Sequence, residues 1–148
     1  MPAHFSRFSQ NTLENYAFIN QAVQDAMQEF LDGQEMELIK QDAPSLDVSC
    51  RNFCMARPTK YDLVLKGKKI AGAAQRKTKE GFLHQGTISL MQPPIEYLED
   101  LLLPNTKVVE AMRTHTFFLL PKESNKKQLD EARMQLRHQL KQSLEKYV

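Results

Sequence analysis

The 148-residue sequence contains no tryptophan, two cysteines and five glycines. Aromatic side chains do not alternate with basic ones, which argues against single-stranded nucleic-acid binding by base stacking. Cys50 and Cys54 lie four positions apart, a poor disulfide framework that favours reduced thiols. No apolar run approaches the roughly 20 residues of a membrane span, and the N-terminus lacks a signal-peptide pattern. We therefore expect a cytoplasmic protein with no membrane or nucleic-acid partner.

Positive charge is concentrated in one short central segment. Residues 57–81 carry eight basic and two acidic side chains, although the net charge of the chain is only +2. Such a segment attracts phosphates, carboxylates or an acidic partner protein. It is equally typical of a solvated hairpin, so charge alone does not distinguish a ligand site from ordinary surface.

The hydrophobic pattern predicts one α+β domain over residues 1–148, with a mostly antiparallel sheet flanked by helices. Apolar residues recur every three or four positions in two long and two short segments, which predicts helices over 11–31, 94–103, 105–112 and 124–147. The shorter segments rich in β-formers predict strands over 36–40, 61–65, 69–77 and 82–90, and residues 116–120 are a further β-prone apolar run. In the helix over 94–103 we expect Leu101 to face inwards.

The strand over 69–77 carries almost no side-chain bulk at Ala71-Gly72-Ala73-Ala74. Such a stretch indicates that something approaches the backbone closely, either a ligand or a packed helix. Lys69 opens this strand after a glycine turn, where its ammonium group can act as a fixed point charge towards a carbonyl or phosphate. The alternative is one more solvated surface lysine.

Cys54 and His84 are further candidates for chemistry. The basic neighbours Arg51 and Arg57 can make the Cys54 thiol a nucleophile, but a lone cysteine is more often structural. His84 falls in a strand, where a core or surface histidine is the usual case. A zinc site at Cys50 and Cys54 lacks a second ligand pair at useful spacing, so we expect no structural metal.

Two short motifs resemble a known family. Gly67-Lys68-Lys69-Ile70-Ala71-Gly72 matches the signature G-K/R-K-I/V-x-G, and His84-Gln85-Gly86-Thr87 matches H-Q/H-G-S/T, with fifteen positions between Lys69 and His84. In this order they resemble the lipoate–protein ligase A and octanoyltransferase family, which has the biotinyl/lipoyl transferase fold. The resemblance is strongest over residues 50–91.

This resemblance implies attachment of lipoate or octanoate to a lipoyl domain of a 2-oxoacid dehydrogenase or to the glycine cleavage H protein. Lys69 then contacts the acyl carbonyl or the acyl-adenylate phosphate. The residues implied to line the acyl and adenylate pocket are Gly72, Ala73, His84, Gly86 and, on the nucleotide side, Asp62. A ligase of this family uses ATP and Mg²⁺.

Cys54 resembles the cysteine of a thiol-dependent branch of the family. In that branch a cysteine precedes the signature lysine by fifteen positions in the context C-F-x-x-P-S-x-Y-E/D. Here Cys54 stands fifteen positions before Lys69 and is followed by Pro58, Tyr61 and Asp62. The match implies that a Cys54 thiolate takes octanoyl from an acyl carrier protein thioester, with Lys69 assisting. Free lipoate with ATP and a lipoylated protein remain open as alternative acyl donors.

The family's upstream motif, R-R/P-x-G-G-G followed by a histidine, has no counterpart in this sequence. We therefore expect a partial domain with an open sheet edge, which invites self-association or a complementing chain. Biotin attachment is a third interpretation on the same fold. A non-catalytic subunit or degenerate paralogue is also open; it would dock a lipoyl domain or carrier protein through its basic residues Arg57, Lys60, Lys66, Lys68 and Lys77.

Overall fold

An antiparallel sheet backed by two long helices organises the chain. The computed structural model describes residues 1–43, 50, 53 and 57–147. Along the chain its elements are α1 (Thr12–Phe30), β1 (Glu37–Leu38), β2 (Leu63–Leu65), β3 (Lys68–Thr78), β4 (Gly81–Ile88), α2 (Ile95–Leu101), α3 (Val108–His115) and α4 (Lys126–Tyr147). The predicted α+β fold class is confirmed.

The four strands lie in the order β1-β2-β3-β4, and each neighbouring pair is antiparallel. Lys66 and Gly67 join β2 to β3 with φ angles of 52° and 73°. Positive φ at both central residues gives the hairpin turn whose twist matches that of the flanking strands. The meander expected from residues 61–90 is therefore present, and β4 forms one edge of the sheet.

Helices α1 and α4 pack on one face of this sheet and enclose the main core. Asn11 caps α1 by accepting a hydrogen bond from the backbone N–H of Leu13, at 3.0 Å. Ser143 of α4 donates its hydroxyl to the carbonyl of Ala22 at 2.7 Å, so small residues let the two helices approach closely. The core side chains come from both helices, from β2 and β3 and from the residue before β1: Met27, Met36, Leu63, Leu65, Ile70, Ala71 and Leu136.

A β-bulge between β2 and β3 decides which face Lys69 occupies. Leu63 pairs with Ala71, whereas Val64 pairs with Lys69, so Ile70 is the extra residue on β3. Ile70 and Ala71 both enter the helix-side core. Alternation on either side of the bulge then places Lys69 and Gly72 together on the opposite face, although a regular strand would place Lys69 with Ala71.

Two short segments differ from the prediction. Helix α2 has no buried residue, and the side chain of Leu101, expected to face inwards, is 64% exposed. The β-prone run over 116–120 is not a regular strand and forms an isolated bridge, between Thr116 and Lys69. Its backbone still donates to β3 and to the segment after β4, for example from Phe117 to the Lys69 carbonyl at 2.9 Å. Leu98 and Leu102, also expected to face inwards, do pack against the buried cluster around Cys50. Phe117 and Leu119 pack against the main core.

Over the described ranges, no helix is both long and apolar enough to cross a membrane.

The core assignment predicts a contrast between two residues of α4. We expect Leu136→Ala to lower the free energy of unfolding by about 2–5 kcal/mol, because it leaves a cavity beneath the helix. Met134 is 67% exposed on the same helix, so Met134→Ala should change stability by no more than about 0.5 kcal/mol. Urea denaturation measures both, and equal losses would contradict the packing of α4 described above.

Candidate active site

A buried ion pair lies on the face of the sheet opposite α1 and α4. The Nζ atom of Lys69 is 2.7 Å from Oδ2 of Asp62, and the two side chains are 4% and 0% exposed. Nζ also lies 3.5 Å from the Arg57 carbonyl oxygen. Lys69 is therefore not one of the solvated lysines of the basic segment. Burying two charges is costly, which makes the pair a candidate for function.

Asp62 is fixed by a turn that begins at Thr59. Its Oδ2 accepts hydrogen bonds from the backbone N–H and the hydroxyl of Thr59, both at 2.7 Å. The backbone N–H of Asp62 donates to the Thr59 carbonyl at 2.8 Å, which closes the turn. Its Oδ1 is buried and has no hydrogen-bond partner in the described part of the chain. The carboxylate is thus held on one side, while Oδ1 points towards Gly72.

Gly72 provides the space that the ion pair occupies. A Cβ atom on residue 72 would lie 2.5 Å from Nζ of Lys69 and 3.3 Å from Oδ1 of Asp62. The close approach indicated by the small-residue strand is therefore made at this position by the Lys69 side chain. A side chain on residue 72 would have to displace the ammonium group.

A second feature lies on the helix side of the same strands. A cavity of about 400 Å³ separates β3 and β4 from α1 and α4. Most of its lining side chains are apolar, and Asn20 and His84 are among the polar ones. Of the residues singled out in the sequence, it is lined by Gly72, Ala73, His84 and Gly86.

His84 is held in this cavity by the neighbouring strand and by α1. Its Nδ1 lies 2.8 Å from Nε2 of Gln75, and its ring centroid is 5.4 Å from that of Tyr16. The Gln75 amide therefore fixes the orientation of the ring through a hydrogen bond at Nδ1. Burial lowers the pKa of His84 from its ordinary value. The imidazole is consequently neutral at physiological pH.

The predicted site residues fall into two groups on opposite faces. Lys69, Asp62 and Gly72 meet on one face, whereas Ala73, His84 and Gly86 line the helix-side cavity. Gly72, which has backbone atoms only, borders both. Because β3 and β4 separate the two faces, the imidazole of His84 and the ammonium of Lys69 do not line the same pocket.

The structure describes Cys50 but not Cys54. Cys54 lies outside the described residues, so its expected role beside Lys69 stays a prediction. Cys50 is buried against Val108, Ala111 and Met112 of α3. Within the described ranges, no three His, Cys, Asp or Glu side chains gather closely enough to hold a metal ion.

Two residues at this site escaped the sequence analysis. The Thr59 backbone N–H donates to the carboxylate of Asp62, which forms a turn closed by a side chain. The sequence Pro58-Thr59 is typical of turns and could have indicated it. Asn20 of α1 donates to the Tyr61 carbonyl at 2.7 Å. Nothing local marks Asn20, since its partner is far away in the sequence.

Comparison with known proteins supplies the family. The model of the lipoyl protein ligase A/B catalytic domain matches residues 4–143. The chain belongs to this family. The family indicated by the lysine and histidine motifs is therefore confirmed. No solved structure gives a significant match.

Two curated relatives are both named octanoyltransferase LipM, one from Bacillus cereus and one from Bacillus anthracis. Each is 38% identical over 61 residues, which cover 41% of this chain and 22% of the relative. The match thus spans about a fifth of the length of these relatives.

The close contact at Gly72 predicts a stability difference between two glycines of the sheet. We expect Gly72→Ala to lower the free energy of unfolding by about 1–3 kcal/mol, because the methyl group pushes the ammonium away from Asp62. Gly86 is the matched control, since a Cβ there would meet its nearest atom at 3.6 Å. Urea denaturation that finds Gly86→Ala at least as damaging would refute the contact.

The environment of His84 predicts a pH dependence of stability. With its pKa lowered by burial, the folded state binds fewer protons than the unfolded state as pH falls below 6.5. The contribution of neutral His84 to the free energy of unfolding is therefore fully present above pH 6.5 and is lost progressively below it. Urea midpoints at pH 7.5 and 5.5 should differ less for His84→Gln than for the wild type.

The exposed His138 on α4 provides the control for this measurement. We expect His138→Gln to keep the wild-type difference between the two pH values. A wild-type dependence that His84→Gln leaves unchanged would show that other groups cause it.

Proposed function

We propose that this chain carries an acyl-transfer site for attaching octanoyl or lipoyl groups to lysines of lipoyl domains. The observation that carries the proposal is the buried Lys69 ammonium, held by Asp62 over Gly72, within the lysine signature of the family. The name of the two relatives supports octanoyl transfer in particular. The acceptors implied by the resemblance are lipoyl domains of 2-oxoacid dehydrogenases and the glycine cleavage H protein.

In this proposal Lys69 stabilises the reacting carbonyl group. Acyl transfer builds negative charge on the carbonyl oxygen in the transition state, and a fixed positive charge lowers the energy of that state. Effective stabilisation requires that the charge be oriented before the reaction. Asp62 provides this orientation, because its Oδ2 lies 2.7 Å from the Lys69 ammonium. Thr59 in turn fixes the carboxylate by two hydrogen bonds to the same oxygen, both of 2.7 Å.

The acyl chain, in this proposal, lies on the same face as Lys69. Gly72 leaves little bulk beside the ammonium, and Ala74 and Thr87 on that face are exposed. The roles implied for Ala73, His84 and Gly86 instead favour the helix-side cavity of about 400 Å³. The reacting carbonyl has to reach Lys69, whose side chain already occupies the space over Gly72. We therefore place the chain along Ala74, next to the ammonium.

Two neighbouring alanines distinguish these locations. Ala74 lies on the Lys69 face, and Ala73 lines the helix-side cavity. We expect Ala74→Leu to raise the KM for the octanoyl donor about tenfold or more, because it fills the proposed acyl path, whereas Ala73→Leu should have a small effect. Steady-state kinetics with a lipoyl-domain acceptor measures both. The reverse ranking would assign the chain to the cavity.

Cys54 is the proposed nucleophile. Its thiolate attacks the carbonyl carbon of an octanoyl thioester on acyl carrier protein, a new C–S bond forms as the donor's C–S bond breaks, and the carrier leaves as a thiolate. The amine of the acceptor lysine then attacks the Cys54 thioester, whose C–S bond breaks as the amide forms. This step regenerates the Cys54 thiolate and releases the amine's proton to solvent. Lys69 stabilises the oxyanion in both steps. A ligase reaction would instead activate lipoate with ATP and Mg²⁺ and would need no thiol.

The mass of the intact protein tests this assignment. After mixing with octanoyl carrier protein, we expect a hydroxylamine-sensitive octanoyl adduct in the wild type and none in Cys54→Ala. Cys50→Ala is the matched control and should keep the adduct, because Cys50 is buried against α3. Lys69→Met should slow adduct formation about 10²-fold or more, while Lys68→Met should not.

The other outcomes select among the alternatives. Adenylate retained after mixing with lipoate, ATP and Mg²⁺, without a thioester, would favour a ligase. If neither the adenylate nor the thioester forms, the result would favour a docking subunit or a need for a complementing chain. For docking, the exposed Lys66 and Lys77 offer positive charge. The N-terminal residues 1–3 already pair with the start of β4, at Gly81 and Phe82. The rest of this edge strand suits strand addition by such a chain or by a second copy.

A further inference from the structure

The turn that carries Asp62 contains a residue in the left-handed backbone conformation. Tyr61, which immediately precedes Asp62, has a φ angle of 69°. Bulky L-residues rarely adopt this conformation, and surrounding contacts have to maintain it. Because Tyr61 and Asp62 are adjacent, the backbone of Tyr61 sets the direction in which the Asp62 carboxylate points.

Both polar groups of the peptide unit between Tyr61 and Asp62 are hydrogen-bonded. The Tyr61 carbonyl accepts from Nδ2 of Asn20 at 2.7 Å. The Asp62 N–H donates to the Thr59 carbonyl at 2.8 Å, within the turn itself. Asn20 is 5% exposed and belongs to α1, on the helix side of the sheet. It therefore ties the strained turn to a rigid element.

We infer that Asn20 is a positioning residue for the Lys69 site. The Asn20 amide binds the Tyr61 carbonyl and so keeps Tyr61 in the left-handed conformation. That conformation sets the direction of the Asp62 carboxylate, which in turn holds the Lys69 ammonium over Gly72. The inference rests on the proposed function, in which Lys69 stabilises the acyl carbonyl. Asn20 acts through Tyr61 and Asp62, from the helix side of the sheet.

Removing the Asn20 amide should uncouple the turn from α1. Tyr61 can then relax out of the left-handed region, which turns the carboxylate and misplaces the ammonium. A misplacement of about 1 Å can cost about 10²-fold in rate, so we expect kcat of Asn20→Ala to fall about ten- to hundredfold. The KM for the octanoyl donor should change little, since the proposed acyl path along Ala74 is intact.

Asn15 provides a matched control on the same helix. It is 1% exposed, donates to the Ser9 carbonyl at 2.8 Å and accepts from the Ser9 N–H at 2.9 Å. It therefore holds the N-terminal loop and not the turn at Asp62. Asn15→Ala should also destabilise the protein but keep the wild-type kcat.

The experiment combines octanoyl transfer to a lipoyl domain with amide hydrogen exchange of the full chain. We expect Asn20→Ala to lower kcat and to speed exchange at the Asp62 N–H, whereas Asn15→Ala should do neither. Equal effects of the two variants on both readouts would overturn the inference, because Asn20 would then contribute general stability only.

A rescue variant separates positioning from stability. Glycine adopts a positive φ without steric cost, so Tyr61→Gly should restore part of the lost kcat and of the exchange protection in Asn20→Ala. Lys66→Gly is the control, because Lys66 also has a positive φ, 52°, but lies in the hairpin turn. If Asn20→Ala alone does not fold, the double variant with Tyr61→Gly should; its failure, or equal rescue by Lys66→Gly, would overturn the inference.

Failure of the proposed function would look different. A wild type without octanoyl transfer, but with faster Asp62 exchange in Asn20→Ala, would refute the acyl-transfer site. Asn20 would then support a structural ion pair, and the positioning role would be overturned with the function.

Discussion

The ion pair between Lys69 and Asp62 is the interaction on which this site depends. Two buried charges are tolerated only when each has partners, and here the carboxylate is bound by Thr59 as well as by the ammonium. The pair also requires an empty position beside it, which Gly72 supplies. Lysine, aspartate, threonine and glycine thus form one unit, and changing any one of them alters the position of the others.

The sheet separates this unit from the hydrophobic core. The bulge at Ile70 directs two successive apolar residues towards the helices and leaves Lys69 on the far face. Helices α1 and α4 therefore stabilise the strands without occupying the face of the ion pair. Asn20 links the two sides, because it reaches from α1 to the turn that carries Asp62. The helices thus hold the strands rigid from one face of the sheet and leave the Lys69–Asp62 ion pair on the other face.

Several features could be read from the sequence because they depend on local patterns. Both long helices have apolar repeats, and the glycine turn at Gly67 marks the hairpin. The motifs around Lys69 and His84 indicated the family. The burial of Lys69 could not be predicted, since alternation places it with Ala71 unless the bulge is known. A bulge depends on how β2 pairs with β3, and the roles of Thr59 and Asn20 depend on contacts that local periodicity does not contain.

The most direct test of the account is whether the Lys69 ammonium meets an acyl carbonyl. Nitrogen-15 labelling of the lysines allows the Nζ resonance of Lys69 to be followed by NMR during titration with an octanoyl carrier protein in which an amide replaces the thioester. The account predicts a saturable shift of the Lys69 resonance, with Lys68 unchanged, and loss of the shift in Ala74→Leu. Binding of the analogue without any change at Lys69 would contradict it.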